Sequence, residues 1–130
     1  MKVFVTGVGG QLGHDVVNEL IRRGHEVTGS DIRETYSGVL DGSAVCFAPY
    51  VQLDITDAEA VNAAICAVRP DAVIHCAAWT AVDAAEDEDK RETVHRINAD
   101  GTRHIAEAVK AADAKMIYIS TDYVFDGKVL

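Results

Sequence analysis

Residues 3–13, VFVTGVGGQLG, decide how the rest of the chain is interpreted. A short apolar run is followed by four glycines within seven positions, Gly7, Gly9, Gly10 and Gly13. Glycine loses more conformational entropy on folding than any other residue, so a dense cluster directly after a strand-like run needs a physical reason. The cluster indicates that some group approaches the backbone closely at this point.

Three of these glycines, Gly7, Gly10 and Gly13, have the spacing G-x-x-G-x-x-G between a predicted strand and a predicted helix. In that context the first permits a tight turn, the second lets a pyrophosphate approach the backbone, and the third lets the helix pack closely on the strand. The helix N-terminus adds N–H donors and a partial positive charge. The spacing predicts a dinucleotide site, and the alternative is a glycine-rich turn without a ligand.

Asp31 strengthens the dinucleotide interpretation. It ends the second predicted strand, 18 residues after Gly13, close to where a carboxylate hydrogen-bonds an adenosine ribose. A carboxylate there disfavours a 2′-phosphate, whereas Arg33, two residues later, is able to clamp one. The predicted cofactor is therefore NAD(H) or NADP(H), with a modest preference for NAD.

Apolar runs of four to six residues alternate with segments of helical period along the chain, a rhythm typical of a parallel sheet covered on both faces. The predicted strands are residues 2–6, 26–30, 50–53, 72–77 and 115–120. The fold class is therefore α/β: a Rossmann-like doubly wound parallel sheet with strand order 3-2-1-4-5. Residues 1–130 are expected to form one NAD(P)-binding domain, with an irregular excursion at 32–49.

Three helices are predicted between these strands. The first has an apolar stripe and ends at Gly24; the stripe comprises Leu12, Val16, Val17, Leu20 and Ile21. The second opens with a capping box at residues 56–59 and runs to Arg69, where Pro70 stops it. The third is long and includes residues 94–108.

Composition narrows the class of protein. A net charge of −9 repels nucleic acid and anionic lipid, so neither is an expected partner. The chain has no apolar stretch long enough for a signal peptide or a membrane span. Its cysteines, Cys46, Cys66 and Cys76, are odd in number and show no Cys-x-x-Cys pairing, which is typical of reduced core thiols. We expect a cytoplasmic protein.

Five segments taken together resemble the extended short-chain dehydrogenase/reductases, and within them the dTDP-4-dehydrorhamnose reductase family. They are TGVGGQLG (6–13), LDIT (53–56), HCAAWTAVDAAE (75–86), INADGT (97–102) and STDYVFDG (120–127). The resemblance implies NAD(P)H-dependent reduction of a dTDP-4-keto-6-deoxy sugar to dTDP-L-rhamnose, with this chain supplying the cofactor-binding half. The alternatives are another nucleotide-sugar epimerase, dehydratase or reductase, and a non-catalytic nucleotide-binding regulatory module.

The resemblance also implies a role for each matching residue. The sequence names no metal ligands and leaves a metal requirement open. Cofactor positions are Gly7, Gly10, Gln11, Leu12, Gly13, Asp31, Ile32, Asp54, Ile55, Ala77, Ala78, Thr80 and Asn98. Thr121 matches the catalytic hydroxyl, which would stabilise the oxyanion that develops on the substrate ketone. Asp122 and Tyr123 match the sugar pocket. A strand-end turn residue is the alternative for Asp54, and a surface helix residue for Asn98; His75 is expected to be a packed strand residue.

The chain departs from the family pattern in one respect. The resemblance implies a proton-donating tyrosine with a lysine four residues later, but none of Tyr36, Tyr50, Tyr118 and Tyr123 is followed in this way. We therefore expect this chain alone to be inactive, truncated after its fifth strand and without the substrate-binding part. An apolar fifth strand at an open sheet edge also predicts self-association.

Overall fold

The computed structural model describes residues 1–9, 11–32, 48–76 and 99–118. Within these ranges it contains five strands, β1 (Lys2–Thr6), β2 (Glu26–Asp31), β3 (Tyr50–Gln52), β4 (Ala72–His75) and β5 (Lys115–Tyr118). The helices are α1 (Gln11–Arg22), α2 (Ala58–Val68) and α3 (Gly101–Ala111). Expectations for residue 10 and for residues 33–47, 77–98 and 119–130 lie outside this description.

All strand pairs are parallel, and the order across the sheet is β3-β2-β1-β4-β5. The predicted fold class and strand order are confirmed. The chain leaves β1 toward β2 on one side and later returns to place β4 on the other. The order therefore reverses between β1 and β4, and in open α/β sheets the crevice at such a point is where ligands bind.

The core consists of two clusters, one on each face of the sheet. Alternate side chains of a strand point to opposite faces, so Phe4 packs with one cluster and Val5 with the other. Phe4 lies under α2 and α3, together with Ile65 and Ile105. Val5 lies under α1, against Val17. The helices on both faces are what the two-sided apolar strands predicted.

The apolar stripe predicted for α1 is only partly buried. Val17 is fully buried, but Leu12 is 48% exposed and Ile21 is also exposed. Leu12 lies five residues before Val17, which places it about 140° away around a helix of 3.6 residues per turn. The buried side of α1 instead includes Gly13 and His14. The helix ends as predicted, with Gly24 at φ 86°.

The second helix begins one residue later than predicted. Its N-cap is Asp57, whose side chain accepts a hydrogen bond from the Ala60 N–H at 3.2 Å. Thr56 is not the cap, because its hydroxyl donates to Asp54 Oδ1 at 2.6 Å. At the other end Arg69 adopts the left-handed conformation, with φ 52°, directly before Pro70. The helix therefore ends at Val68 and not at Arg69.

Strand and cysteine predictions need two smaller corrections. β3 ends at Gln52 and β4 at His75, each earlier than predicted. Cys66 is exposed on α2 and is not a core thiol, whereas Cys76 is partly buried; both are free.

None of the helices in the described ranges is long and apolar enough to cross a membrane.

Candidate functional site

The turn between β1 and α1 requires glycine at both of its described ends. Gly7 follows the last residue of β1 and has φ 73°, a conformation that side chains disfavour. A Cβ on Gly13 would lie 2.9 Å from Val8 Cα and would collide with the Gly7 carbonyl oxygen. The start of α1 therefore packs directly against the backbone of the turn. We call Gly7–Gly13, residue 10 excepted, the glycine turn.

The N-terminus of α1 forms one side of the glycine turn. The amide groups of a first helical turn have no carbonyl partner within the helix, and they carry a partial positive charge. The first turn of α1, from Gln11, contains no acidic side chain to neutralise that charge. Leu12 is exposed in this turn. Backbone donors and an open surface thus occur together at the carboxyl edge of the sheet.

Asp31 lies directly beside the glycine turn. Its Oδ2 accepts a hydrogen bond from the Gly9 N–H at 2.7 Å, and its Oδ1 accepts one from the Ile32 N–H at 2.7 Å. The Val8 N–H donates to the Ser30 carbonyl at 3.2 Å, which ties the turn to the end of β2 a second time. The structure therefore brings Gly7, Gly13 and Asp31 together, with one negative charge next to the turn.

The contact between Asp31 and Gly9 was not predicted from the sequence. Gly9 lies outside the G-x-x-G-x-x-G spacing, so it carried no assignment. Gly29 could have indicated this contact, because a glycine inside a strand often marks a close approach of another backbone. A Cβ on Gly29 would lie 3.0 Å from Val8 Cγ1. Gly29 therefore leaves room for the glycine turn to rest on β2.

Asp54 and Ile55 follow β3 at the same edge of the sheet. Asp54 Oδ1 accepts from both the N–H and the hydroxyl of Thr56, at 2.9 and 2.6 Å. Its Oδ2 has no hydrogen-bond partner among the described residues. Ile55 points into the core, and a Cβ on Gly101 would lie 2.6 Å from Ile55 Cδ1. If Ile55 contacts a cofactor, it therefore does so through its backbone atoms and not through its side chain.

His75 ends β4 and is only 1% exposed. Its Nδ1 lies 2.7 Å from Thr6 Oγ1, and its Nε2 lies 3.1 Å from Thr102 Oγ1. The Tyr118 ring stacks on the imidazole with a centroid separation of 6.0 Å. Burial lowers the pKa of His75 to about 4, so the ring is neutral at pH 7. The prediction of a packed strand residue is confirmed.

Comparison with known proteins places this arrangement in a family. The profile of the family described as RmlD substrate binding domain matches residues 1–129. The chain belongs to this family. The resemblance to dTDP-4-dehydrorhamnose reductases that the sequence motifs carried is thereby confirmed, since relatives of that name match nearly the whole chain.

Among relatives, the chain is 40% identical to a dTDP-4-dehydrorhamnose reductase of Streptomyces griseus. The alignment spans 124 residues and covers 95% of this chain and 34% of that protein. Among solved structures, the Bacillus anthracis dTDP-4-dehydrorhamnose reductase in complex with NADP is 36% identical, with a TM-score of 0.77, over 98% of this chain and 39% of that one. The Thermus thermophilus UDP-glucose 4-epimerase in complex with NAD is 29% identical, with a TM-score of 0.80, and the match covers 93% of this chain and 38% of that one. This member of the RmlD family thus spans less than two-fifths of the length of these proteins.

Several predicted site residues lie outside the described part of this RmlD family member, and their roles stay predictions. They are Gly10, Ala77, Ala78, Thr80, Asn98, Thr121, Asp122 and Tyr123. Within the described ranges, no group of three or more His, Cys, Asp or Glu side chains is arranged to hold a metal ion.

Proposed function

We propose that this chain is the cofactor-binding part of an NAD(P)H-dependent reductase that converts a dTDP-4-keto-6-deoxy sugar to dTDP-L-rhamnose. The observation that carries the proposal is the backbone contact between Gly13 and Gly7, where any side chain would collide. That contact places the N-terminus of α1, whose first amides have no carbonyl partner within the helix, at the point where the strand order reverses. The similarity to dTDP-4-dehydrorhamnose reductases supports the choice of reaction.

The described residues fit a dinucleotide. The glycine turn would hold the diphosphate through backbone donors, because no side chain of Gly7 or Gly13 occupies the space beside them. Asp31 would accept hydrogen bonds from the adenosine ribose, using the same carboxylate that now orients the Gly9 N–H. Asp54 Oδ2 offers a further acceptor at the same edge. When bound, the reduced nicotinamide supplies the hydride for the ketone.

The remaining steps fall to residues outside the described ranges. We assign to Thr121 the hydrogen bond to the ketone oxygen, where it would stabilise the developing negative charge. Asp122 and Tyr123 would contact the sugar. The 130 residues contain no tyrosine followed four positions later by lysine, so this chain alone is proposed to bind the cofactor without turning substrate over. We also propose a cytoplasmic location for the enzyme.

Titration of NADH and NADPH into the chain, followed by nicotinamide fluorescence, tests the cofactor assignment. Leu12→Glu is the informative variant, because it places a negative charge in the exposed first turn of α1, where an acid does not weaken the helix itself. We expect it to weaken binding of both nucleotides. Ile21→Glu makes the same change at an exposed position in the last turn of α1 and should leave binding unchanged. The absence of a saturable signal with either nucleotide would refute the assignment.

A nucleotide-sugar epimerase is the second candidate. The fold similarity to the Thermus thermophilus UDP-glucose 4-epimerase, with a TM-score of 0.80, favours it as strongly as the fold similarity to the reductase favours the first. The gene sequence beyond codon 130, expressed with this part, separates the two candidates. The reductase consumes one NADPH or NADH for each dTDP-4-keto sugar reduced, whereas an epimerase yields an isomer without net oxidation of the nucleotide.

A further inference from the structure

We call a row of residues paired across neighbouring strands a rung. The last rung before the glycine turn is polar on one face of the sheet. It runs across β2, β1, β4 and β5 through Ser30, Thr6, His75 and Tyr118. Two residues earlier on β1 and β4, the same face carries Phe4 and Val73, which belong to the apolar core. Ser30, Thr6 and His75 on this rung are buried, whereas Tyr118 at the sheet edge is 46% exposed. The buried polar part of the rung therefore lies at the carboxyl end of the sheet. Its centre, between β1 and β4, coincides with the reversal of strand order.

His75 joins three elements across this rung. Thr6 Oγ1 lies 2.7 Å from one ring nitrogen and also accepts the Cys76 N–H at 3.0 Å. Thr102 Oγ1, in the first turn of α3, lies 3.1 Å from the other ring nitrogen. No buried side-chain nitrogen or oxygen in the described ranges lacks a partner. The imidazole therefore has a fixed orientation, set from both sides by hydroxyl groups.

This chain of hydrogen bonds ends next to the glycine turn. Thr6 is the residue immediately before Gly7, so a displacement of the Thr6 side chain moves the start of the turn. A neutral histidine bonded to two hydroxyls can act as donor at one nitrogen and acceptor at the other. Burial favours the neutral form, which suits a rigid connection between β1 and α3.

We propose that His75 is a positioning residue for the dinucleotide: its imidazole ties Thr6, at the entrance to the glycine turn, to Thr102 on α3. The proposal rests on the proposed function, because it requires a dinucleotide at that turn. It goes further by assigning to α3 a part in setting the position of the turn, although α3 lies on the opposite face of the sheet from α1. The physical basis is that Thr6 and His75 are buried and Thr102 is half-buried, so the ring has a hydroxyl partner at each nitrogen and is held in one orientation.

Thr102 offers the sharpest test because it contacts His75 without belonging to the glycine turn. Thr102→Val keeps the shape and removes the hydroxyl, and Thr102→Ser keeps the hydroxyl. In the full 130-residue chain, we expect Thr102→Val to raise the Kd for NADH by about five- to tenfold, with Thr102→Ser close to the wild type. Circular dichroism and thermal unfolding are the checks that both variants fold.

A double-mutant cycle separates positioning through His75 from a general loss of stability. In a His75→Leu background, Thr102→Val should have no further effect on the Kd for NADH, because the connection is already broken. Equal Kd values for Thr102→Val and Thr102→Ser, in a wild-type chain that does bind NADH, would overturn the proposal. Additive effects of His75→Leu and Thr102→Val would also overturn it. A wild-type chain that binds neither NADH nor NADPH would instead refute the proposed function, and the positioning role with it.

Nitrogen-15 NMR of the wild-type chain gives a test that needs no variant. The proposal predicts a neutral imidazole for His75 at pH 7, both free and saturated with NADH. Ring nitrogen shifts typical of a protonated imidazole in the NADH-bound chain would overturn the proposal even if every variant failed to fold.

Discussion

Gly13 shows how the absence of one side chain positions a binding site. A Cβ there would meet backbone atoms of Gly7 and Val8, which cannot move aside as a flexible side chain would. The glycine therefore lets α1 begin against the end of β1, and the helix amides point to the carboxyl edge of the sheet. The spacing of the glycines predicted this contact correctly. It did not predict Leu12 as an exposed neighbour, because a glycine motif carries no information on burial.

Asp31 is expected to control the choice between the two nucleotides. Asp31→Asn keeps a side-chain oxygen for the Gly9 N–H, which Asp31 accepts at 2.7 Å, but removes the negative charge. Because that charge repels a 2′-phosphate, we expect the Kd ratio of NADPH to NADH to fall by about tenfold or more, an energy of ~1.4 kcal/mol. Fluorescence titrations with both nucleotides measure the ratio. An unchanged ratio, with both nucleotides still bound, would contradict the role given to the carboxylate.

His75 predicts a pH dependence of stability with a definite sign. Burial lowers the pKa of His75 to about 4 from an ordinary value of 6.5. As the pH falls below 6.5, the unfolded chain takes up a proton that the folded chain refuses until about pH 4. The free energy of unfolding should therefore fall across this window by about 3 kcal/mol, at 1.36 kcal/mol per pKa unit.

Chemical denaturation at pH 7.0, 5.5 and 4.0 measures the pH dependence, with His75→Gln as the comparison. Carboxylates titrate in the same range in both proteins, so the difference between the two curves isolates the imidazole. We expect the variant to lose less stability than the wild type between pH 7.0 and 4.0. Parallel curves for the two proteins would show that the buried ring does not resist protonation.

At the scale of elements, the start of α2 illustrates where sequence patterns are ambiguous. Thr56 and Asp57 are both good N-cap residues, and only Thr56 has an acidic residue three positions later, as a capping box requires. The structure selects Asp57, because Thr56 is already bonded to Asp54 at the end of the preceding turn. Competition between two local hydrogen bonds decides the boundary, and residue spacing alone does not describe that competition.

Substitution of the cap gives a direct test of this boundary. Asp57→Ala removes the acceptor of the Ala60 N–H and should lower the free energy of unfolding by about 1 kcal/mol. Asp57→Ser keeps an acceptor and should lose little. Urea denaturation of the wild type and both variants measures the two changes. Equal losses for Asp57→Ala and Asp57→Ser would mean that the side-chain oxygen is not the stabilising group.

At the scale of the whole molecule, the sheet order follows from features that a single sequence contains. Apolar runs without polar alternation indicate strands covered on both faces, and helical segments between them impose parallel pairing. Contacts such as that of Thr6 with His75 are harder to predict from the sequence, because the residues are 69 positions apart and meet only through the register of β1 and β4. The sequence also held no signal that Thr102 would meet the same ring from α3.

Self-association is the main prediction for the whole chain. β5 is at one end of the strand order, and Ile117 on it is 52% exposed. Among the described residues no strand pairs with the outer edge of β5, and exposed apolar edges favour pairing with another copy. Light scattering should give a mass above the 14.0 kDa of one chain at high concentration.

Ile117→Lys should shift the mass toward the monomer, since an edge lysine opposes pairing. Ile32→Lys is the matched control, because Ile32 is similarly exposed but lies beyond the end of β2. A wild-type chain that stays monomeric at every concentration would contradict the prediction. An equal effect of both lysines would contradict the assignment of the contact to β5.

The central claim is that backbone amides of the glycine turn hold the diphosphate of a nicotinamide dinucleotide. Backbone amide NMR of the chain during a titration with NADH tests it most directly. The account predicts saturable shifts that are largest for Leu12 and Gly13 in the first turn of α1, with Val8, Gly9, Asp31 and Ile32 next. Saturable shifts centred elsewhere on the sheet, or none at any NADH or NADPH concentration, would contradict it.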